Sequence, residues 1–212
     1  MQQNSFGSGS IREQVRDDEI WSKSMKEDKI LPELVLSYYL MPRHLKQCFS
    51  YCSVFPKGYG LNNVILIQFW MAHGVLQSNE NEEPESIGMR YINELRSRSF
   101  LQNFDQDFDF LYFQMPHDVH ELATKIAKNE CFVIGHPNSF YSSNRSWRHL
   151  SVVDASAVRE ESSSRNKLMR SILFFGMRPS QSVVESCISS FPNLRVLDLR
   201  NYGMEVLPGS IA

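Results

Sequence analysis

Through the first two-thirds of the chain, apolar residues recur at helical intervals that prolines and glycines interrupt. Leu31, Leu34, Val35 and Tyr38 share one face of a helix whose first turn accommodates Pro32, and Pro42 ends or bends it. Leu45, Cys48, Phe49 and Cys52 then form a single stripe at i, i+3, i+4 and i+7 before Pro56 and Gly58 close the second helix. Asn62 or Asn63 can cap a third helix that carries Leu66, Ile67, Phe69, Trp70 and His73 and stops at Gly74. An acidic loop, Asn79–Glu85, leads into a fourth helix that starts near Pro84–Ser86 and buries Ile87, Tyr91 and Leu95. The rhythm then changes. Phe100–Phe104 and Phe108–Met115 are rich in aromatics and flank a turn at Asp105–Asp109, which predicts a hairpin. A fifth helix from about His117 to Lys128 turns Val119, Leu122, Ala123 and Ile126 inward.

Several helices followed by a hairpin is the order of a winged-helix unit, and short local helices on a small sheet can bury one core at this length. That domain is expected over residues 36–130. Ahead of it, residues 1–35 read as a Gly/Ser-rich tail plus a short amphipathic helix over Ile11–Asp28 that needs a partner surface. Residues 131–190 read as a connector, with polar loops at Gly135–Arg145 and Asp154–Lys167 and short strand-like pieces at His149–Val153 and Ser171–Phe175. In residues 191–212, Leu194, Leu197 and Leu199 fit L-x-x-L-x-L, the strand signature of a leucine-rich repeat, with Leu207-Pro208 where such a repeat turns back. The fold expected is mostly α with small β: a winged-helix domain followed by the start of a leucine-rich-repeat solenoid.

Composition narrows the chemistry. The 212 residues are 42% hydrophobic and 22% charged, which is ordinary for a folded chain. The net charge of −2 gives no overall attraction to nucleic acid or anionic membrane. A DNA-reading winged helix would present a basic helix. The third helix has no Lys or Arg, and Arg90, Arg96 and Arg98 of the fourth lie beside Glu94 and the acidic loop. No apolar run reaches the roughly 18–20 residues of a membrane span, and no signal peptide is visible, so Cys48, Cys52, Cys131 and Cys187 are expected as reduced thiols in the cytoplasm. His117, His120 and Glu121 share a helix face but lack the H-E-x-x-H order of zinc proteases. Cys48 and Cys52 have no further metal ligands at suitable spacing, and no nucleophile–base pair is evident, so neither a metal nor an enzyme is expected.

Three segments carry a family resemblance. Leu36-Ser37-Tyr38-Tyr39-Leu40-Met41-Pro42 and the run from Leu45-Lys46-Gln47-Cys48-Phe49 through Tyr51-Cys52 to Phe55-Pro56 resemble SY-x-x-LP-x-x-LK-x-CF-x-YC-x-x-FP. That pattern opens the winged-helix domain of plant coiled-coil-type nucleotide-binding, leucine-rich-repeat immune receptors. Leu66-Ile67-Gln68-Phe69-Trp70-Met71-Ala72-His73-Gly74 resembles the family's LI-x-x-W-x-A-x-G helix. Tyr91-Ile92-Asn93-Glu94-Leu95 with Arg98-Ser99-Phe100 resembles its Y-x-N-E-L-x-x-RS-F segment. The resemblance implies a family core at Leu45, Cys48, Phe49, Cys52, Phe55, Leu66, Phe69, Trp70, Tyr91 and Leu95.

It also implies a nucleotide-sensing MHD motif, which here is degenerate: Met115-Pro116-His117-Asp118. With no gap, Pro116 replaces the His that the family holds against ADP; with His117-Asp118 as the HD, Pro116 replaces the Met. No G-x-x-x-x-G-K-[ST] phosphate loop occurs in the chain, so no cofactor is expected for it, although the full-length family uses ADP and ATP. The implied role is the regulatory arm of a nucleotide-dependent defence switch. Its implied partners are the nucleotide-binding module of the same or another receptor and, through repeats, a pathogen effector or guarded host protein. The alternatives are a free-standing interaction module, a truncated remnant or, last, a DNA-binding winged helix.

Overall fold

The computed structural model describes residues 31–76, 82–127, 130–135, 147–153, 167–176 and 179–200. The helix expected over Ile11–Asp28, most of the two polar loops and the Leu207-Pro208 turn lie outside these residues. The chain forms two compact units, one from Met1–Cys52 with Lys57–Ile126 and the other from Ser53–Pro56 with Ala127–Ala212.

The first unit opens with helices α1 (Pro32–Tyr39) and α2 (Arg43–Tyr51). Pro42, extended at ψ 155, sets the break between them. At the end of α2 the helix tightens, and the N–H of Cys52 reaches the carbonyls of Phe49 and Ser50. Strand β1 (Leu61–Asn62) runs into helix α3 (Asn63–Ala72), then α4 (Pro84–Ser97), strands β2 (Gln102–Asp107) and β3 (Phe110–Gln114), and helix α5 (His117–Ala127). The two asparagines divide the capping work. Asn62 Oδ1 accepts from the Ile65 N–H at 2.9 Å, the usual N-cap bond, while Asn63 Oδ1 accepts from the Leu111 N–H at 3.0 Å and ties the start of α3 to β3.

Sequence periodicity misses β1, because two residues are too few to show alternation. Pairing of Leu61 with Phe113 and Asn62 with Tyr112 makes the expected hairpin a three-stranded antiparallel sheet, ordered β1-β3-β2. The turn is also tighter than expected. Asp107 pairs with Phe110, leaving only Phe108 and Asp109 to reverse the chain, with Phe108 at φ +49. A bulky residue in that left-handed region costs on the order of 1–3 kcal/mol. A bulge between Gln102 and Asp105 contains Asn103 at φ +53, a residue type that tolerates it. Register fixes the faces: Phe104, Leu111 and Phe113 share the side turned to the core, with Phe104 and Phe113 stacked at 5.2 Å. Asp105, Asp107, Phe110 and Tyr112 share the other.

The core of this unit gathers Leu45, Phe49, Leu66, Trp70, Ile87, Leu95, Phe100, Val119 and Leu122, all buried. Phe49 meets Phe100 edge-on at 4.9 Å. Helices α3 and α4 approach through Gly88, where an added Cβ would lie 2.6 Å from Ile67 Cγ1.

The second unit contains strands β4 (Cys131–Ile134), β5 (His149–Val152) and β6 (Ser171–Phe174), helix α6 (Gln181–Ser190) and strand β7 (Val196–Asp198). All four strands are parallel and stack in chain order, β4-β5-β6-β7. One face forms the hydrophobic cluster of Ile134, Leu150, Val152, Met169, Ile172 and Phe174, against which α6 packs Val183 and Cys187. On the opposite face Ser151 and Ser171 are buried, and His149 Nδ1 lies 3.1 Å from Ser171 Oγ. Ser53–Pro56 lies on that face: Ser151 Oγ donates to the Val54 carbonyl, and Phe55 meets Phe175 at 6.2 Å.

Two expectations change here. The division between a connector at 131–190 and a repeat at 191–212 does not follow the sheet, since β7 continues the series begun by β4, β5 and β6. The description as mostly α with small β also understates the strands, because this unit is built on a four-stranded sheet. The apolar runs at His149–Val152 and Ser171–Phe174 stand out in the sequence as expected, whereas the strand Cys131–Ile134 and the pairing of all four do not, because runs of three or four residues separated by long polar stretches carry no sign of their partners. Helix α6 escapes for another reason. Its Ser and Val residues have modest helix propensity, and Ser180 as N-cap, accepting from Val183 N–H at 3.4 Å, supplies the start signal.

Candidate functional site

The motif residues of the helical unit converge. Leu45, Cys48 and Phe49 from α2, Leu66, Phe69 and Trp70 from α3, and Tyr91 and Leu95 from α4 are all buried, as is Cys52. Because the N–H of Cys52 turns to Phe49 and Ser50, the Cys48 carbonyl is open to other donors. The Trp70 indole Nε1–H bonds it at 3.1 Å, and Cys52 Sγ reaches it at 3.4 Å. A fully buried indole needs such an acceptor, and an unsatisfied donor there would cost about 1–3 kcal/mol. Lys46 has an equally specific task. Its ammonium donates to the Tyr39 carbonyl at 2.8 Å, at the C-terminal end of α1, and sits 5.4 Å from the Tyr38 ring centre. Burial holds the Lys46 pKa below its ordinary value. Tyr91 stacks on His44 at 4.7 Å.

Phe55 is the exception. The sequence groups it with the helical core; the structure buries it in the second unit beside Phe175.

The four cysteines are free thiols. Burial pushes Cys131 and Cys187 up to about 11 and Cys48 higher still, so none of these three is activated as a nucleophile. Among the described residues no group of three His, Cys, Asp or Glu side chains is placed to hold a metal ion. Glu121 pairs with Lys57 at 3.0 Å, and the backbone N–H of His120 donates to the Pro116 carbonyl at 2.9 Å.

Met115, His117 and Asp118 do not share one environment. Met115 is buried, His117 is exposed at the first residue of α5, and Asp118 is half-buried. Asp118 Oδ1 accepts from the Val119 N–H at 2.9 Å, which satisfies a first-turn donor and places a carboxylate at the positive helix end. His117 Nε2 stands 4.0 Å from where a Cβ on Gly58 would be, and Gly58 itself adopts φ +77. In the second unit Leu194, Leu197 and Leu199 are half-buried and pack on the same hydrophobic cluster. Sequence reasoning missed Gly88 and the bond from Asn63 to Leu111. A glycine inside an otherwise periodic helix is a signal of close packing that could have marked the first; nothing local marks the second.

Comparison with known proteins agrees with this geometry. The family described as disease resistance protein winged helix domain matches residues 54–123. The putative disease resistance protein RGA1 of Solanum bulbocastanum is 40% identical over 199 residues, which is 94% of this chain and 18% of that protein. Disease resistance protein RGA2 of the same species is 37% identical over 204 residues, again 94% of this chain and 18% of that protein. The putative disease resistance RPP13-like protein 1 of Arabidopsis thaliana is 31% identical over 207 residues, 92% of this chain and 19% of that protein. The chain thus spans less than a fifth of the length of these relatives. Among the described residues no helix is long and apolar enough to cross a membrane. The buried Leu45–Cys48–Phe49–Trp70 centre, the three-stranded wing and the likeness of nearly the whole sequence to these proteins lead to one assignment: the chain carries the winged helix domain of plant disease resistance proteins.

Proposed function

We propose that the chain is the regulatory winged-helix arm of a cytoplasmic plant immune receptor, together with the start of its leucine-rich-repeat solenoid, and that it acts by protein contact rather than catalysis. The observation that carries the reading is the 40% identity to a disease resistance protein over 94% of the chain. The solenoid part is supported by the second sheet. Its parallel strands begin at residues 131, 149, 171 and 196, hence 18, 22 and 25 residues apart, close to the repeat length of roughly 20–29 residues typical of leucine-rich repeats. In this reading the arm packs on the nucleotide-binding module of the same or another receptor and biases it between two states, while the repeats face an effector or guarded host protein.

The turn at His117-Asp118 is where nucleotide sensing would occur in such a receptor. Pro116 offers no hydrogen-bond donor there, and the chain holds no phosphate loop of its own, so nucleotide would be held by the partner module. Two measurements test this. Co-expression with the nucleotide-binding module of a plant immune receptor should yield a complex that co-purifies; failure to bind would leave a remnant without a regulatory partner. Calorimetry of the isolated chain with ADP should show no heat, and micromolar binding would overturn the assignment of nucleotide to the partner.

A further inference from the structure

We propose that the outer face of the β2–β3 hairpin is a docking surface for a protein segment that carries Lys or Arg beside apolar side chains. Phe108, Phe110 and Tyr112 supply the contact area, and Asp105, Asp107 and Asp109 select the cation. This inference stands apart from the receptor reading and would hold for any protein with this wing.

The solvent side of an antiparallel sheet is ordinarily polar. Here it presents Phe110 and Tyr112, 41% and 39% exposed with ring centres 6.3 Å apart, and the turn adds Phe108 at 90%. These rings do not serve the core, which Phe104, Leu111 and Phe113 meet from the other face. Each ring faces a carboxylate across the ladder, Phe110 opposite Asp107 and Tyr112 opposite Asp105. Between Leu101 and Pro116 there is no Lys or Arg. None of the three aspartates makes an ion pair among the described residues. The nearby Arg96 lies over Phe104, at 4.3 Å, on the opposite face.

Charge decides the occupant. A second copy docked through the same patch would oppose carboxylates to carboxylates, and nucleic acid would bring phosphates against them. A purely apolar partner would strip water from the carboxylates and give nothing back. A guanidinium or ammonium laid over the Phe110 and Tyr112 rings answers both features, because it gains ring attraction and a charge-assisted bond to Asp105 or Asp107.

The test uses the full chain and three labelled synthetic peptides of equal length: alternating Leu and Arg, alternating Leu and Glu, and Arg with Ser in place of Leu. Fluorescence anisotropy and amide shift mapping should show saturable binding of the Leu/Arg peptide, with shifts centred on residues 104–112. Its affinity should fall at least tenfold in the Asp105→Asn, Asp107→Asn, Asp109→Asn triple variant and in the Phe110→Ser, Tyr112→Ser double variant. Phe108→Gly separates docking from folding, since it relaxes the positive φ and should raise stability while weakening the peptide. The proposal is overturned if no peptide saturates, if the variants bind as the parent does, or if the Arg/Ser peptide binds as well as Leu/Arg. Self-association abolished by the double variant, or binding of a short DNA duplex to this face, would equally overturn it.

Discussion

The two units bury their apolar groups by different rules. In the helical unit the centre is closed on every side, and its largest residue, Trp70, has both a packed ring and a named acceptor in the Cys48 carbonyl. In the sheet unit burial is graded. Every residue of β5 and β6 is buried, whereas β7 is half-buried throughout and β4 is buried only at Ile134. A stacked parallel sheet protects a strand through its neighbours, and β5 and β6, each paired on both sides, are the strands buried at every residue. A closed bundle shares its burial among all elements and resists graded loss.

The sharpest way to break that contrast is at Trp70. Trp70→Ala should cost about 3–5 kcal/mol and abolish the cooperative transition of the helical unit in urea, followed by circular dichroism. A loss below about 1 kcal/mol would show that the centre is not shared. In the sheet, Ile172→Ala should cost about 2–5 kcal/mol, and Leu197→Ala, at a half-buried position, distinctly less. Equal losses would remove the gradient from centre to edge. Gly88→Ala sharpens the packing side. An Ala inside a helix normally gains about 0.8–1 kcal/mol over Gly, yet the 2.6 Å approach to the β-branched Ile67 should reverse the sign and cost about 1–3 kcal/mol. Lys57→Ala should change stability by no more than about 1 kcal/mol, because its pair with Glu121 is exposed to solvent.

At neutral pH the smallest effect is that of the thiols. Burial raises the Cys131 and Cys187 pKa from 9.0 to about 11. The protonated thiol therefore stabilises the fold fully below about pH 9, and that contribution is lost as pH rises through about 11. Reaction with a disulfide reagent at pH 8 should be slow in the native chain and fast after unfolding, with Cys48, whose pKa is raised furthest, the slowest of the three.

How much of this was legible follows from the length of each signal. Helices with a repeating face, such as Arg43–Tyr51 and Pro84–Ser97, declare themselves in the sequence, and so do the buried positions at Cys48, Phe49 and Leu95. The two-residue strand at Leu61–Asn62 does not, because only its partner Phe113 defines it. Phe55 illustrates a different limit. Its hydrophobicity announces burial, but its place beside Phe175 depends on a fold formed far downstream. Around the candidate nucleotide turn the sequence identified Pro116, His117 and Asp118; the capping bond of Asp118 and the pairing of Glu121 with Lys57 required three dimensions.

Ser53–Pro56 separates the order of the chain from the order of assembly. These four residues belong to the sheet unit, although the sequence on both sides of them belongs to the helical one. The bond from Ser151 to Val54 spans 97 positions, so during synthesis Phe55 emerges long before the strands that enclose it. Closing so long a loop is slow compared with local helix formation. No single cut yields either unit whole, and a fragment beginning at Ala127 would start life with one wall of its interior missing.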